Sequence, residues 1–143
     1  MNSNVYEHHN IVSFEETNLV GNVYYVNYVS WQGRCREMFL RDRAPEVLAE
    51  LSKDLALATV RVSCEYFAEL FAFDEVIIRM SLGTHKQNRI TMIFEYWCFA
   101  RNSKEPIARG EQEVACMRRE GEKLVPTPIP KSLRDALQPY ALA

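Results

Sequence analysis

The stretch that most constrains this chain runs from about Val26 to Arg41, "VNYVSWQGRCREMFLR". Its pattern predicts a helix on which Val29, Trp31, Cys35, Met38, Phe39 and Leu40 give wider apolar coverage than a surface helix needs. A helix that apolar has to be buried. What comes after it alternates with period two instead. Over 59–70, Val60, Val62, Cys64, Tyr66, Ala68 and Leu70 face one way, and Thr59, Arg61, Ser63, Glu65 and Glu69 the other. The same alternation puts Val76, Ile78, Met80 and Leu82 on one side of 75–82, and Ile90, Met92, Phe94, Tyr96, Cys98 and Ala100 on one side of 89–101. In 107–118 the apolar side holds Ala108, Gly110, Val114 and Cys116. This is the pattern of an antiparallel sheet with one face on a core. Residues 5–14 read as a further short strand. A sheet of about five strands can bury such a helix only by curving around it, which is an α+β arrangement with the helix as filling. A short helix over "APEVLAELSKD", with Pro45 in its first turn, and another after Pro130 complete the expectation.

Length and composition narrow the function. The 143 residues suit a single domain spanning 1–143 with a real core. A net charge of −2 gives no reason to expect nucleic acid or an anionic membrane as partner. No apolar run approaches the roughly 20 residues that span a bilayer. The start, "MNSNVYEHHN", lacks the basic and apolar stretches of a signal peptide. Four widely spaced cysteines, Cys35, Cys64, Cys98 and Cys116, form no C-x-x-C pair, so a reduced, cytoplasmic protein without a zinc site or other cofactor is the expectation. There is no G-x-S-x-G, H-E-x-x-H, P-loop or G-x-G-x-x-G. His8 and His9 point to opposite sides of a strand and His85 sits in a hairpin turn, which suits surface roles. On the outer face of the sheet Ile77, Ile93, Trp97 and Phe99 would form an apolar patch, so a homodimer or homotetramer is expected.

The polar residues of the helix carry the chemistry. Tyr28, Gln32 and Arg36 recur at i, i+4 and i+8 and line one stripe. A guanidinium on a buried helix is costly unless paired. Arg36 therefore belongs to a salt bridge with a strand, to a solvated helix end, or to a site that receives negative charge. Ahead of the helix, Asn18 and Asn22 bracket Gly21, and no carboxylate lies between Glu16 and Glu37. Asn18 suits a turn before Gly21, and it can also donate and accept hydrogen bonds, though it is no base near neutral pH.

The run "FEETNLVGNVYYVNYVSWQGRCRE" resembles the signature of the hotdog-fold acyl thioesterases of the 4-hydroxybenzoyl-CoA thioesterase type. The closing "IPKSLRDAL" is like that family's final helix, so the resemblance covers nearly the whole chain. Within the family it is most similar to the thioesterases of enediyne antibiotic biosynthesis. The resemblance implies a hotdog fold, and hydrolysis of a β-ketoacyl polyene thioester from the acyl-carrier protein of an iterative polyketide synthase. The released β-keto acid readily loses carbon dioxide, which would leave a methyl ketone. The broader family carries an aspartate at the position of Asn18, and many members a glutamate at Gly33. The enediyne group has the asparagine, and there catalysis proceeds without an acidic residue.

By the same resemblance the backbone N–H of Tyr25, at the start of the helix, is the oxyanion donor. Asn18 would hold the attacking water or orient the carbonyl, and Arg36 and the Tyr28 phenol would polarise the thioester or hold the β-keto oxygen. Gln32 is a candidate substrate contact, and Thr59 one that could come from another subunit. Two rivals stay open: an acyl-CoA thioesterase of general metabolism, and a non-catalytic acyl-binding protein.

Overall fold

The long helix α1 spans Val26–Arg43 in the computed structural model, which describes residues 4–142. The leaderless reading of the N-terminus rests in part on residues 1–3, which lie outside the described ones. Helix α1 stops at Ala44 because Pro45 follows: the residue before a proline is pushed out of helical geometry, and Ala44 sits at φ −143°, ψ 53°. Arg41 and Arg43 in the last turn complement the negative end of the helix dipole. Pro45 then opens α2, Pro45–Leu51, where its missing N–H costs nothing.

Five strands follow the expected order and a sixth joins them: β1 Tyr6–Ile11, β2 Leu55–Tyr66, β3 Glu75–Lys86, β4 Arg89–Trp97, β5 Ala108–Glu120 and β6 Lys123–Pro126. They pair antiparallel in the order β1-β3-β4-β5-β2, with β6 beside the end of β5. One further helix, α3, spans Lys131–Leu137. The alternation of the central strands holds. Val76, Ile78, Met80, Ile90, Met92, Phe94 and Tyr96 are buried against α1, whose buried residues are Tyr28, Trp31, Gln32, Cys35, Phe39 and Leu40. This curled sheet around a central helix is the hotdog arrangement.

Three expectations are corrected. The sheet has a sixth strand, β6, made by a tight hairpin at Gly121 (φ 63°); four residues are too few to announce themselves by periodicity. Strand β4 ends at Trp97, earlier than the expected 101, so Ala100 is exposed in a turn after it. The alternation of β2 changes phase. A bulge lies between Thr59 and Arg61, where Thr59 opposes Val114 and Arg61 opposes Glu113. The extra residue, Val60, is 45% exposed, while Leu55 and Leu57 before the bulge and Cys64 after it pack against the core. A single inserted residue reverses which side chains face inward.

The outer-face patch is smaller than expected. Ile77, Ile93 and Trp97 are half-buried and only Phe99 is exposed, with the Trp97 and Phe99 rings stacked at 5.2 Å. A second exposed apolar row lies on β2, at Val60, Val62 and Tyr66.

Candidate functional site

β2 runs antiparallel alongside the polar stripe of α1. The contacts step along both elements in turn: Arg36 with Thr59, Gln32 with Ser63, Tyr28 with Tyr66 and Tyr25 with Tyr66. The result is a groove with a different chemistry at each end.

At the Tyr25 end, backbone groups dominate. The loop before α1 is organised by Glu16. Its carboxylate accepts the Ser13 N–H at 3.0 Å and the Trp31 indole N–H at 2.7 Å. Its carbonyl accepts the Tyr24 N–H at 2.9 Å and the Asn27 side-chain amide at 2.8 Å. Asn18 closes a turn, its Oδ1 accepting the Val20 N–H at 3.0 Å and its carbonyl the Gly21 N–H at 2.9 Å. Gly21 takes φ 98°, which glycine adopts without a Cβ penalty. Tyr25 sits at the helix N-cap and is 59% exposed. Its carbonyl accepts the Tyr66 hydroxyl at 3.0 Å. The N–H groups of Tyr24, Asn27 and Tyr28 are taken up within the chain, whereas that of Tyr25 has no acceptor among the described residues. An open helix N-terminus with no acidic side chain in its first turn presents a donor and a partial positive charge to whatever binds there.

The middle of the groove is aromatic and buried. The Tyr28 ring packs on Trp31, Tyr66 and Tyr96 at 5.2, 4.8 and 5.5 Å. The Tyr96 hydroxyl donates to the Tyr28 carbonyl at 2.6 Å. Burial raises the pKa of Tyr28 and Tyr96 above the ordinary phenol value, and Tyr66 is pushed up to about 12, so all three are neutral donors near neutral pH. Gln32 is fully buried and its Nε2 donates to the Ser63 carbonyl at 3.0 Å. Space for that amide exists because position 110 is glycine: a Cβ there would collide with Gln32 Nε2 and stand 2.6 Å from the Ser63 carbonyl oxygen.

At the other end lies Arg36. Its Nη1 donates to Gln112 Oε1 at 3.2 Å and approaches Thr59 Oγ1 at 3.5 Å, the outer limit of a hydrogen bond. Burial lowers its pKa from the ordinary arginine value and Glu37 partly offsets this; the group stays charged at neutral pH. No carboxylate pairs with it among the described residues, whereas Arg61, Arg79, Arg89, Arg101, Arg109 and Arg118 each have one. Arg36 also lines a narrow slot between α1, the sheet and α3, walled by Phe39, Leu57, Met92, Leu133 and Leu137. The free interior of that slot is about 10 Å³, room for about one water.

The sequence-derived residues therefore share one groove but not one point. Arg36 lies eleven positions beyond Tyr25, about 16 Å along a helix rising 1.5 Å per residue. Within one protomer the Tyr25 amide and the Arg36 guanidinium cannot reach the same carbonyl. Gly33 faces away, toward a polar cleft bordered by His8, Asn10, Arg34 and Glu37. Three contributors escaped sequence reasoning. The Glu16 carboxylate and the Tyr66 hydroxyl bind backbone groups of the loop and helix start, partners that leave no residue pattern. Gln112 did leave one, because it is the single amide in the inward row Ala108, Gly110, Gln112, Val114, Cys116.

A protein-family model described as the thioesterase-like superfamily matches residues 12–137. Among solved structures, the chain is similar to the dynemicin thioesterase, whose crystal structures reveal induced-fit and allosteric effects upon polyene binding. The identity is 48% and the TM-score 0.93, over 98% of this chain and 99% of that one. A 1,4-dihydroxy-2-naphthoyl-CoA thioesterase from Synechocystis has the same fold at 18% identity and TM-score 0.82, covering 94% of this chain and 96% of that one. So does a mutant 4-hydroxybenzoyl-CoA thioesterase with bound 4-hydroxybenzoyl-CoA, at 12% identity and TM-score 0.81, covering 93% and 98%. No curated protein sequence matches.

Proposed function

The chain belongs to the thioesterase-like superfamily and is a thioester hydrolase, and from that premise we propose that it releases a β-ketoacyl polyene from the acyl-carrier protein of an iterative enediyne polyketide synthase. The similarity to the dynemicin thioesterase supports the enediyne setting and a polyene ligand. The observation that carries the mechanism is the Tyr25 N–H, unengaged at the open end of α1.

Water attacks the thioester carbonyl, whose oxygen becomes negative and takes the Tyr25 N–H as donor. Collapse of the tetrahedral adduct breaks the carbon–sulfur bond; the carrier thiol takes up a proton and the β-keto acid is released. One such donor is worth about 3–4 kcal/mol of transition-state stabilisation. The Asn18 amide group, on the same loop, holds the water; its Oδ1 is committed to the turn, so Nδ2 is the atom that serves. No acidic residue takes part, because Glu16 is held by Ser13 and Trp31. A β-keto substituent makes the carbonyl electrophilic enough for this modest machinery, and the β-keto acid can then lose carbon dioxide to give a methyl ketone. The apolar slot receives the chain. With room for one water as it stands, it must widen around its ligand, which accords with a polyene that binds by induced fit.

We read the working unit as a dimer or higher oligomer of a single domain over 1–143, located in the cytoplasm. No helix among the described residues is long and apolar enough to cross a membrane. The outer edge of β2 is unpaired among the described residues and exposes Val60, Val62 and Tyr66; Leu19 and Val20 stand fully out of the loop before α1. An exposed edge strand of this length invites pairing with a second copy. Twofold antiparallel pairing along β2 reverses the second groove, bringing its Arg36 and Thr59 toward the Tyr25 end of the first. That would close the 16 Å separation.

The test is hydrolysis of a β-ketoacyl thioester on a carrier protein, followed by thiol release, against the same acyl group on coenzyme A and against a saturated acyl chain. Preference for the carrier-bound β-ketoacyl thioester is expected. Equal turnover of saturated acyl-CoA would favour the general-metabolism rival, and no turnover of any of them the acyl-binding one.

A further inference from the structure

Gln112 is 4% exposed in the middle of β5, on the side that faces α1. Placing an amide there is costly unless it is used. Its Oε1 is used: it accepts from Arg36 Nη1 at 3.2 Å. The remaining neighbour of that guanidinium, Thr59 Oγ1, is also neutral. A glutamate differs from glutamine by one atom and would have made an ion pair, as Glu111 and Glu113 on the same strand do with Arg61, Arg109 and Arg89. Glu111 and Glu113 thus serve three arginines on the outer face of the sheet, while no carboxylate among the described residues pairs with Arg36 on the inner side. The uncommitted charge heads an otherwise apolar slot.

We propose that Gln112 is a positioning residue that aims the Arg36 guanidinium while leaving its charge free, so that an amphiphilic anion, a carboxylate on an apolar chain, completes the pair. This deepens the thioesterase reading and rests on it for the source of that anion, the acid released by hydrolysis. An amide carbonyl orients the guanidinium through one N–H and leaves the others for the ligand's carboxylate, whose charge-assisted hydrogen bonds are stronger than those to a neutral group. A carboxylate at position 112 would occupy the same N–H groups and cancel the charge.

The experiment compares binding of myristate and of the matching alcohol to wild type, Gln112→Glu and Gln112→Met by calorimetry, alongside thermal unfolding and steady-state hydrolysis. Wild type should prefer myristate to the alcohol. Gln112→Glu should unfold at the same or a higher temperature, lose roughly tenfold or more in myristate affinity while alcohol binding holds, and lose activity. Gln112→Met keeps the charge but not the aim, so it should retain a preference for myristate and lose mainly in kcat. Should Gln112→Glu fail to fold, Thr59→Asp brings a carboxylate to the guanidinium from an exposed position and should give the same loss. The proposal is overturned if wild type shows no preference for the carboxylate, or if the acidic variants bind myristate as wild type does. Because the binding comparison needs no turnover, a protein that hydrolyses no thioester would defeat the functional reading and leave this result standing.

Discussion

The two ends of the α1–β2 groove are built on opposite plans. At the Tyr25 end nearly every polar group is committed: four hydrogen bonds converge on Glu16, Asn18 closes its own turn, and Tyr66 grips the Tyr25 carbonyl. The Tyr25 backbone N–H is left without an acceptor among the described residues, with that of Val26 beside it, on a loop held by everything around it. At the Arg36 end one side chain carries a whole charge, and its polar contacts among the described residues are two neutral ones, at 3.2 and 3.5 Å. The first plan suits a fixed donor that must meet a developing oxyanion without reorganising. The second suits a counter-charge that adjusts to its ligand. A site can be rigid where bonds change and permissive where the substrate is held.

The sharpest way to break the comparison is Tyr25→Pro. Residue 25 has φ −57°, within the range proline adopts, and it sits at a helix start where proline is tolerated. The substitution removes the N–H together with the ring that packs on Tyr24 and Tyr66, and Tyr25→Ala removes the ring alone. A loss of about 10²–10³ in kcat is expected for the proline variant with folding intact, while Tyr25→Ala should retain most of the rate. A rate for the proline variant within a few-fold of wild type, measured by thiol release, would remove the amide from the mechanism.

Arg36→Met tests the opposite end. Removing a desolvated, unpaired charge relieves its burial cost but strands the buried Gln112 carbonyl oxygen, so unfolding in urea should stay within about 1–3 kcal/mol of wild type. Hydrolysis should fall about tenfold to a hundredfold. A variant that loses well over that margin in stability along with its activity would mean that Arg36 is structural.

Gly110→Ala should lower stability by about 1–3 kcal/mol, read by thermal or urea unfolding. The added methyl must displace Gln32 or the Ser63 carbonyl from the β2 edge. Smallest of all, Tyr66→Phe removes one neutral hydrogen bond to the Tyr25 carbonyl, expected to cost about 1 kcal/mol or less in stability and under tenfold in kcat. The pH profile adds a further check. Tyr66 is pushed up to about 12 by burial, and the raised Tyr28 and Tyr96 likewise stay neutral. Loss of those hydroxyl protons then cannot cause any decline in kcat seen below about pH 10.

What could be read in advance was whatever obeys a period. The apolar girdle of α1 and the alternation of β3, β4 and β5 gave the helix, the sheet and the inward rows, since burial imposes those spacings directly. The stripe of Tyr28, Gln32 and Arg36 was legible for the same reason. Properties held by the backbone were not. The role of the Tyr25 amide came from resemblance, because no residue type encodes a spare N–H. Gln112 was visible in the sequence yet passed over, as an amide in an apolar row gains meaning only when Arg36 is seen beside it. The wrong facing of Thr59 has one cause, the bulge that puts it opposite Val114 ahead of Arg61 and Glu113.

That bulge also governs how relatives of this chain should be compared. Leu55, Leu57 and Thr59 keep step with one frame, and Val62, Cys64 and Tyr66 with another displaced by a single position. A homologue lacking a counterpart of Val60 could present the same six side chains to its helix from an unbroken ribbon. An alignment that spreads this gap elsewhere would equate inward residues with outward ones, and would misplace the threonine beside the guanidinium while leaving every strand boundary looking correct.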